Sequence, residues 1–380
     1  MLQLYHRKTM LHAIIMAGGS GTRLWPESRA NCPKQLLAIG SKQTLIQQSV
    51  LRLMPLVEQN RIYVATNPRL GAALLESINK LPDIALSDSA LILEPIARNT
   101  TACIGLAAVR CLNQDSDATM AIMTSDHRIE PIDDFADNVR FAVDLVEKNP
   151  KRLVTFGIRP TYPSESFGYI RRGTPNNERF ATTKMVQQAF RVEQFKEKPN
   201  RQTAEEYLRS GLYYWNSGMF VWKARTILDR IKEYQPDMGA AFDRIAAHWD
   251  FEDRDAVIKQ EFTAIRSISI DYAVMERAPE VFVVEANFDW DDVGSWGALE
   301  RLETQDGNGN TISCPHSIAL QTSGTIIRSQ DPNHLIALVG VKDLAVIHTP
   351  TATLIINKRD EQAVRKVVLE LNQTGQNDWL

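Results

Sequence analysis

Cysteine is scarce in this chain. Cys32, Cys103, Cys111 and Cys314 are the only 4 in 380 residues. None is paired at metal-ligand spacing, which excludes a zinc ribbon or a disulfide scaffold and leaves free thiols. Nothing at the N-terminus resembles the apolar core of a signal peptide, and no apolar run approaches the ~20 residues of a membrane span. The expectation is a soluble cytoplasmic protein with no membrane partner. An excess of one charge is missing too: 43 Lys and Arg stand against 46 Asp and Glu, a net charge of −3. No global field then recruits nucleic acid or acidic lipid, and any anion site must be local. A Ser/His/Asp triad and a reactive Cys/His pair are likewise absent from the pattern.

What is present begins with Gly18-Gly19-Ser20-Gly21-Thr22-Arg23, followed at short range by Pro33-Lys34-Gln35. The glycines follow His12-Ala13-Ile14-Ile15-Met16, an apolar run that reads as a buried strand. Glycine has no Cβ, so backbone N–H groups there can approach anionic oxygens closely. Arg23 and Lys34 add positive charge to the same stretch, which fits a polyanion such as a nucleoside triphosphate. A P-loop would close on Gly-Lys-Ser/Thr, whereas Gly21 is followed by Thr22-Arg23. A dinucleotide fingerprint wants glycine where this chain has Leu24, and a helix where Pro26 and Pro33 interrupt. A tight turn with incidental charges is the remaining competitor, and the paired Arg and Lys weigh against it.

Length alone predicts about two or three domains. From residue 11 to about 158, strand-like runs at 61–66, 90–93 and 119–124 alternate with helix-like segments at 43–54, 99–112 and 133–147. That is βαβ alternation and implies a mainly parallel sheet. The 99–112 segment carries small or apolar residues nearly all round, the mark of a buried helix opening on an Asn99 cap. Strand candidates crowd together between 152 and 222, helices return over 223–275, and 281–285 supplies another strand. Beyond Gly307, short Ile, Leu and Val runs broken by turn residues describe a small β unit with a hint of stacked coils, before a final helix at about 359–371.

Ligands of parallel sheets bind beyond strand ends, so residues there are the candidates. Glu94-Pro95 with Arg98-Asn99-Thr100 follows one strand and opens the buried helix. Ser125-Asp126-His127 ends the next, and Asp126 offers a hard-cation ligand; His127 reads as structural. Trp290-Asp291-Asp292-Val293-Gly294 follows the strand at 281–285. If Asp126 and Asp292 converge, they would share one Mg²⁺ with phosphate oxygens, because Mg²⁺ takes only one or two protein carboxylates. In the middle region Glu197 and Asn216 are groups able to bond sugar hydroxyls, with Lys198 beside them for a phosphate. Each of these, taken singly, is also an ordinary cap, turn or surface group.

Taken in order, these segments resemble the sugar nucleotidylyltransferases, and within them the mannose-1-phosphate guanylyltransferases. The resemblance runs through Gly18 to Pro26, Pro33-Lys34-Gln35, Glu94-Pro95, Arg98-Asn99-Thr100, Asp126-His127, Phe167-Gly168-Tyr169-Ile170, Glu197-Lys198-Pro199, Asn216-Ser217-Gly218-Met219-Phe220 and Asp292-Val293-Gly294-Ser295-Trp296. It implies an α/β fold: a Rossmann-like mixed, mainly parallel sheet with flanking helices over 1–305, a sugar-binding insertion at about 160–280, and a small left-handed β-helix-like unit with a terminal helix over 306–380. It implies transfer of GMP from GTP to α-D-mannose 1-phosphate with Mg²⁺ as cofactor, in a homodimer. By the same resemblance, Gly18, Gly19, Gly21, Thr22, Arg23, Glu94, Arg98, Asn99, Thr100 and Asp126 bind nucleotide. Arg23, Lys34, Asp126 and Asp292 act in catalysis, the two aspartates as metal ligands. Gly168, Tyr169, Glu197, Lys198 and Asn216 bind the sugar phosphate. Some relatives carry an added isomerase domain for which this chain is too short, so a monofunctional transferase is expected. The competing readings are another base or sugar 1-phosphate, a non-catalytic regulatory subunit on the same fold, and, third, a dinucleotide oxidoreductase.

Overall fold

The computed structural model describes residues 10–19, 21–178, 187–360 and 363–380. Ser20 of the glycine loop, and Glu361 and Gln362 of the expected last helix, lie outside them. The described chain forms two compact units, each drawn from separated stretches of sequence.

The first unit comprises the residues up to Gly18, Ser49–Thr124 and Ile129–Trp290. Its centre is a nine-stranded sheet in the order Leu91–Leu93, Ile62–Thr66, Leu11–Met16, Thr119–Thr124, Tyr213–Lys223, Leu153–Ile158, Val281–Glu285, Ala189–Lys196, Tyr169–Pro175. The first four strands are parallel, as the βαβ alternation predicts. Their apolar runs are buried, five of six residues in Leu11–Met16 and all five in Ile62–Thr66, because a covered parallel sheet needs no polar face. Tyr213–Lys223 then runs antiparallel to both Thr119–Thr124 and Leu153–Ile158, which makes the sheet mixed.

The segment expected as a buried helix is Asn99–Gln114, with Thr101 through Val109 all buried. It packs with Ala224–Tyr234 and Pro236–Ala247 in the main core, around Leu106, Trp222, Ile227 and Phe242. Its start departs from the simple cap: Asn99 has φ +67°, and its Oδ1 accepts from the neighbouring Thr100 N–H instead of capping the helix. The strand-rich middle region also contains a helix, Arg201–Ser210, capped by Asn200 and closed by Gly211 at φ +65°. Only Ala204 of it is buried, so no apolar periodicity announces it.

The second unit gathers Gly19–Gln48, Ser125–Arg128 and Asp291–Leu380. One core explains the grouping: Leu24, Trp25, Leu37 and Leu45 from the early segment pack with Trp296, Ile326, Ala345 and Ile347 from the late one. The C-terminal part is β-coiled as expected. Thr311–Ser313, Ile326–Ser329 and Leu344–Thr349 stack in parallel with Ala352–Asn357 antiparallel at the end, and His316–Leu320 lies parallel to Leu335–Val339. Thr311 pairs with Ile326 and Ile326 with Ala345, unequal steps that hide the repeat in the sequence. The last helix is Ala363–Gln373. Among the described residues no helix is long and apolar enough to cross a membrane.

Candidate active site

In the second unit the phosphate candidates meet at one lysine. Lys34 lies in a short 3-10 turn after Pro33, and its Nζ donates to Asp126 Oδ2 at 2.8 Å and to the carbonyl oxygen of Asp292 at 2.5 Å. Gly21 makes this approach possible. It sits at φ +63°, and a Cβ there would lie 2.4 Å from Lys34 Cβ. Gly18 and Gly19 do something different, since a Cβ on Gly18 would meet nothing within 4 Å and one on Gly19 only the Gln35 amide at 3.9 Å. Their bareness leaves open backbone for a ligand. The Gln35 Nε2 donates to the Gly19 carbonyl at 2.9 Å and so ties the glycine loop to the Lys34 turn.

Asp292 occupies the most demanding position. Burial raises its pKa above the ordinary carboxylate value; Lys34 and Arg23 pull it down, and the carboxylates of Asp291 and Asp126 push it further up. Asp126 and Asp292 thus lie close enough to feel each other's charge, with Lys34 bonded to the carboxylate of one and the backbone carbonyl of the other. Val293 beside it holds φ +46°, a costly conformation for a β-branched residue, and Gly294 leaves room where a Cβ would lie 2.7 Å from Asp292 Oδ2. Backbone strain and a deleted side chain both serve to hold this carboxylate in place. Among the described residues no group of three or more His, Cys, Asp or Glu is arranged for a metal. Two neighbouring carboxylates are nonetheless the donor type and number that Mg²⁺ takes from a protein, and it would complete its shell with phosphate and water oxygens.

In the first unit Gly168, Glu197 and Asn216 come together. The Asn216 N–H donates to the Gly168 carbonyl at 2.8 Å, and a Cβ on Gly168 would lie 2.7 Å from Glu197 Oε2. Lys198, at φ +42°, pairs with Glu197 at 2.9 Å and keeps an exposed ammonium. Tyr169 is placed otherwise: its side chain is fully buried and its hydroxyl donates to the Ser164 carbonyl at 3.0 Å. The sequence reading missed Asp271, whose Oδ1 accepts from Asn216 Nδ2 at 2.8 Å. An acidic residue inside the apolar 268–275 stretch was the available signal. Glu94 is buried after its strand, and desolvation raises its pKa to about 7, partly offset by a hydrogen bond with Cys103. Arg98 and Thr100 direct their side chains into the same unit, to the backbone of 262–270.

A nucleotidyl transferase family model matches residues 12–308, and a mannose-phosphate isomerase/GMP-like β-helix domain model matches 316–371. The chain belongs to the nucleotidyl transferase family, in its mannose-1-phosphate guanylyltransferase branch. The mannose-1-phosphate guanylyltransferase of Salmonella typhimurium strain LT2 is 38% identical over 98% of this chain and 75% of its own length. That of Escherichia coli strain K12 is 37% identical, with the same shares covered. Among solved structures, one described as mannose-1-phosphate geranyltransferase from Thermus thermophilus superposes with a TM-score of 0.82 at 30% identity, over 96% of this chain and 100% of that one.

Proposed function

We propose that this nucleotidyltransferase moves GMP from GTP to α-D-mannose 1-phosphate, releasing pyrophosphate and forming GDP-mannose. The observation that carries the reading is Lys34 Nζ joined to both Asp126 and Asp292 beside the glycine loop, in a chain of this family. The acceptor's phosphate oxygen is already an anion near neutral pH, so it can attack the α-phosphorus without a general base. A P–O bond forms to the acceptor as the bond to the β-phosphate breaks, and the electron pair leaves on pyrophosphate. The obstacle is repulsion between two polyanions, so alignment and charge neutralisation supply the acceleration.

The residues divide this work. Arg23, Lys34 and the backbone of Gly18, Gly19, Gly21 and Thr22 hold the triphosphate and the charge that develops on it. Asp126 and Asp292 would hold Mg²⁺, which supplies further neutralisation of phosphate oxygens when bound. Glu94 offers a buried carboxylate, and guanine presents adjacent N–H donors that a carboxylate can accept together; Asn99 lies in the same loop. Glu197 and Asn216 accept and donate to sugar hydroxyls, Gly168 leaves room for the ring, and Lys198 meets the acceptor phosphate. The four cysteines, all unpaired, fit a cytoplasmic enzyme. The proposal includes a homodimer, for which exposed Ile318, Leu320, Leu335 and Val339 on the C-terminal strands offer apolar surface.

Pyrophosphate release measured across GTP, ATP, UTP and dTTP, each with mannose, glucose and N-acetylglucosamine 1-phosphates, tests this directly. GTP with mannose 1-phosphate should give the highest kcat/KM. A higher value for another pair would replace the substrates, and guanosine-nucleotide binding without turnover on any acceptor would replace catalysis with a regulatory role.

A further inference from the structure

Within the first unit, a run of hydrogen bonds leads from the start of the buried helix to the sugar candidates. The Arg98 guanidinium donates from Nε to the Phe262 carbonyl at 2.7 Å and from Nη2 to the Thr263 carbonyl at 2.8 Å. The Thr101 N–H donates to the Ile268 carbonyl at 3.3 Å, and the Ile270 N–H donates to Thr100 Oγ1 at 2.9 Å. Four contacts thus fix 262–270, the segment leading directly into a single π turn at Asp271–Met275. Such turns are rare and hold only where their surroundings stabilise them.

From that turn Asp271 accepts from Asn216 Nδ2, while Asn216 Oδ1 accepts from the Gly218 N–H at 3.2 Å. A side-chain amide has a donor end and an acceptor end of almost the same shape, so its neighbours decide which way it points. Here a carboxylate at one end and an N–H at the other fix the choice. Thr155 Oγ1 donates to the Met219 carbonyl at 3.0 Å and so braces the strand that carries Asn216.

We infer that Arg98 and Thr100 are positioning residues for the acceptor sugar, holding 262–270 so that Asp271 orients the Asn216 amide. The inference rests on the proposed role of Asn216 and Glu197 in binding that sugar. It assigns two residues, expected from resemblance to touch nucleotide, to the other substrate. Their side chains are occupied with the backbone that carries Asp271, and their loss should be felt where Asn216 acts. Protonation enters at the same place. Burial raises the Asp271 pKa to about 6; the Asn216 amide offsets this, and the carboxylates of Glu197 and Glu276 add to the rise. Only the carboxylate accepts from Asn216 without itself offering a proton.

Initial rates of the full-length enzyme test this, with both KM values read for each variant and the acceptor taken as whichever sugar 1-phosphate the wild type uses. Thr100→Val keeps the shape and removes the acceptor of the Ile270 N–H. It should raise the acceptor KM about 2- to 10-fold, the value of one hydrogen bond, and leave the GTP KM within about twofold. Thr100→Ser should restore it, and Arg98→Ala should follow Thr100→Val. Asp271→Asn should raise the acceptor KM at pH 8, and its ratio to wild type should fall towards one below about pH 6, a comparison that cancels titration of the substrate phosphate. A GTP KM rising as much as the acceptor KM, or a pH-independent Asp271→Asn ratio, would overturn the inference. Failure of the substrate assignment shows separately, in the wild type's own preference.

Discussion

Glu94 illustrates what a single residue costs and supplies. Its folded pKa, about 7, lies above the ordinary 4.5, so the native state binds its proton more tightly than the unfolded chain does. The sign follows: Glu94 favours folding at low pH, and that contribution is lost as pH rises from the unfolded value through about 7. Glu94→Gln should therefore raise thermal stability at pH 8 and change it little at pH 4, as a melting series would show. If the carboxylate accepts from guanine, the wild-type KM for GTP should rise relative to Glu94→Gln as pH falls below about 7; a constant ratio would remove Glu94 from base recognition. Arg23, Lys34, Glu94, Asp126 and Asp292 stand out in the sequence because each follows a strand or the glycine loop. Asp271 does not, since Ile268, Ile270, Ala273 and Val274 around it read as an apolar helix, and the acid among them was the one signal. Nor could the sequence reveal that Tyr169 points into the core or that Arg98 is spent on backbone carbonyls, because both depend on partners far along the chain.

Elements follow the same logic of period and burial. The parallel strands and the helix Asn99–Gln114 could be read from apolar runs because burial on all sides demands them. Arg201–Ser210 escaped because only one of its residues is buried, and the C-terminal coils stayed ambiguous because their paired residues are unevenly spaced. The close packing of the buried helix gives a direct test. A Cβ on Gly105 would lie 2.1 Å from the ring of Phe242 on Pro236–Ala247. Although alanine is the better helix former by about 1 kcal/mol, that overlap has to be relieved by moving a helix or a ring in a close-packed core. Gly105→Ala should destabilise by about 1–3 kcal/mol in denaturant unfolding. A neutral or stabilising result would mean the two helices are not packed as described.

At the scale of the whole molecule, chain order and spatial order differ. The early segment that supplies Arg23 and Lys34 has its apolar partners near the C-terminus, in a core shared by Leu24, Leu37 and Ile326. A buried ion pair strengthens the union: Arg328 donates from Nε to Glu27 Oε1 at 2.8 Å, from Nη2 to Glu27 Oε2 at 2.9 Å and to the Ala38 carbonyl at 2.9 Å. Removing one partner of such a pair leaves a buried charge uncompensated. Arg328→Ala should cost about 3–5 kcal/mol of stability and lower turnover as well. If the C-terminal coils served assembly alone, Arg328→Ala would leave kcat unchanged. Family membership and the parallel half of the sheet were legible in the sequence; this interleaving was not, because hydrophobic periodicity says that a face is buried but not against what. In the proposed reaction Arg23, Lys34, Asp126 and Asp292 together carry the phosphate transfer. The most direct test of this is the single-turnover rate of GDP-mannose formation by Arg23→Ala and Asp292→Ala, with folding checked by circular dichroism. Each variant should lose at least ~100-fold, about 2.7 kcal/mol of transition-state stabilisation. Near-normal rates in either folded variant would contradict it.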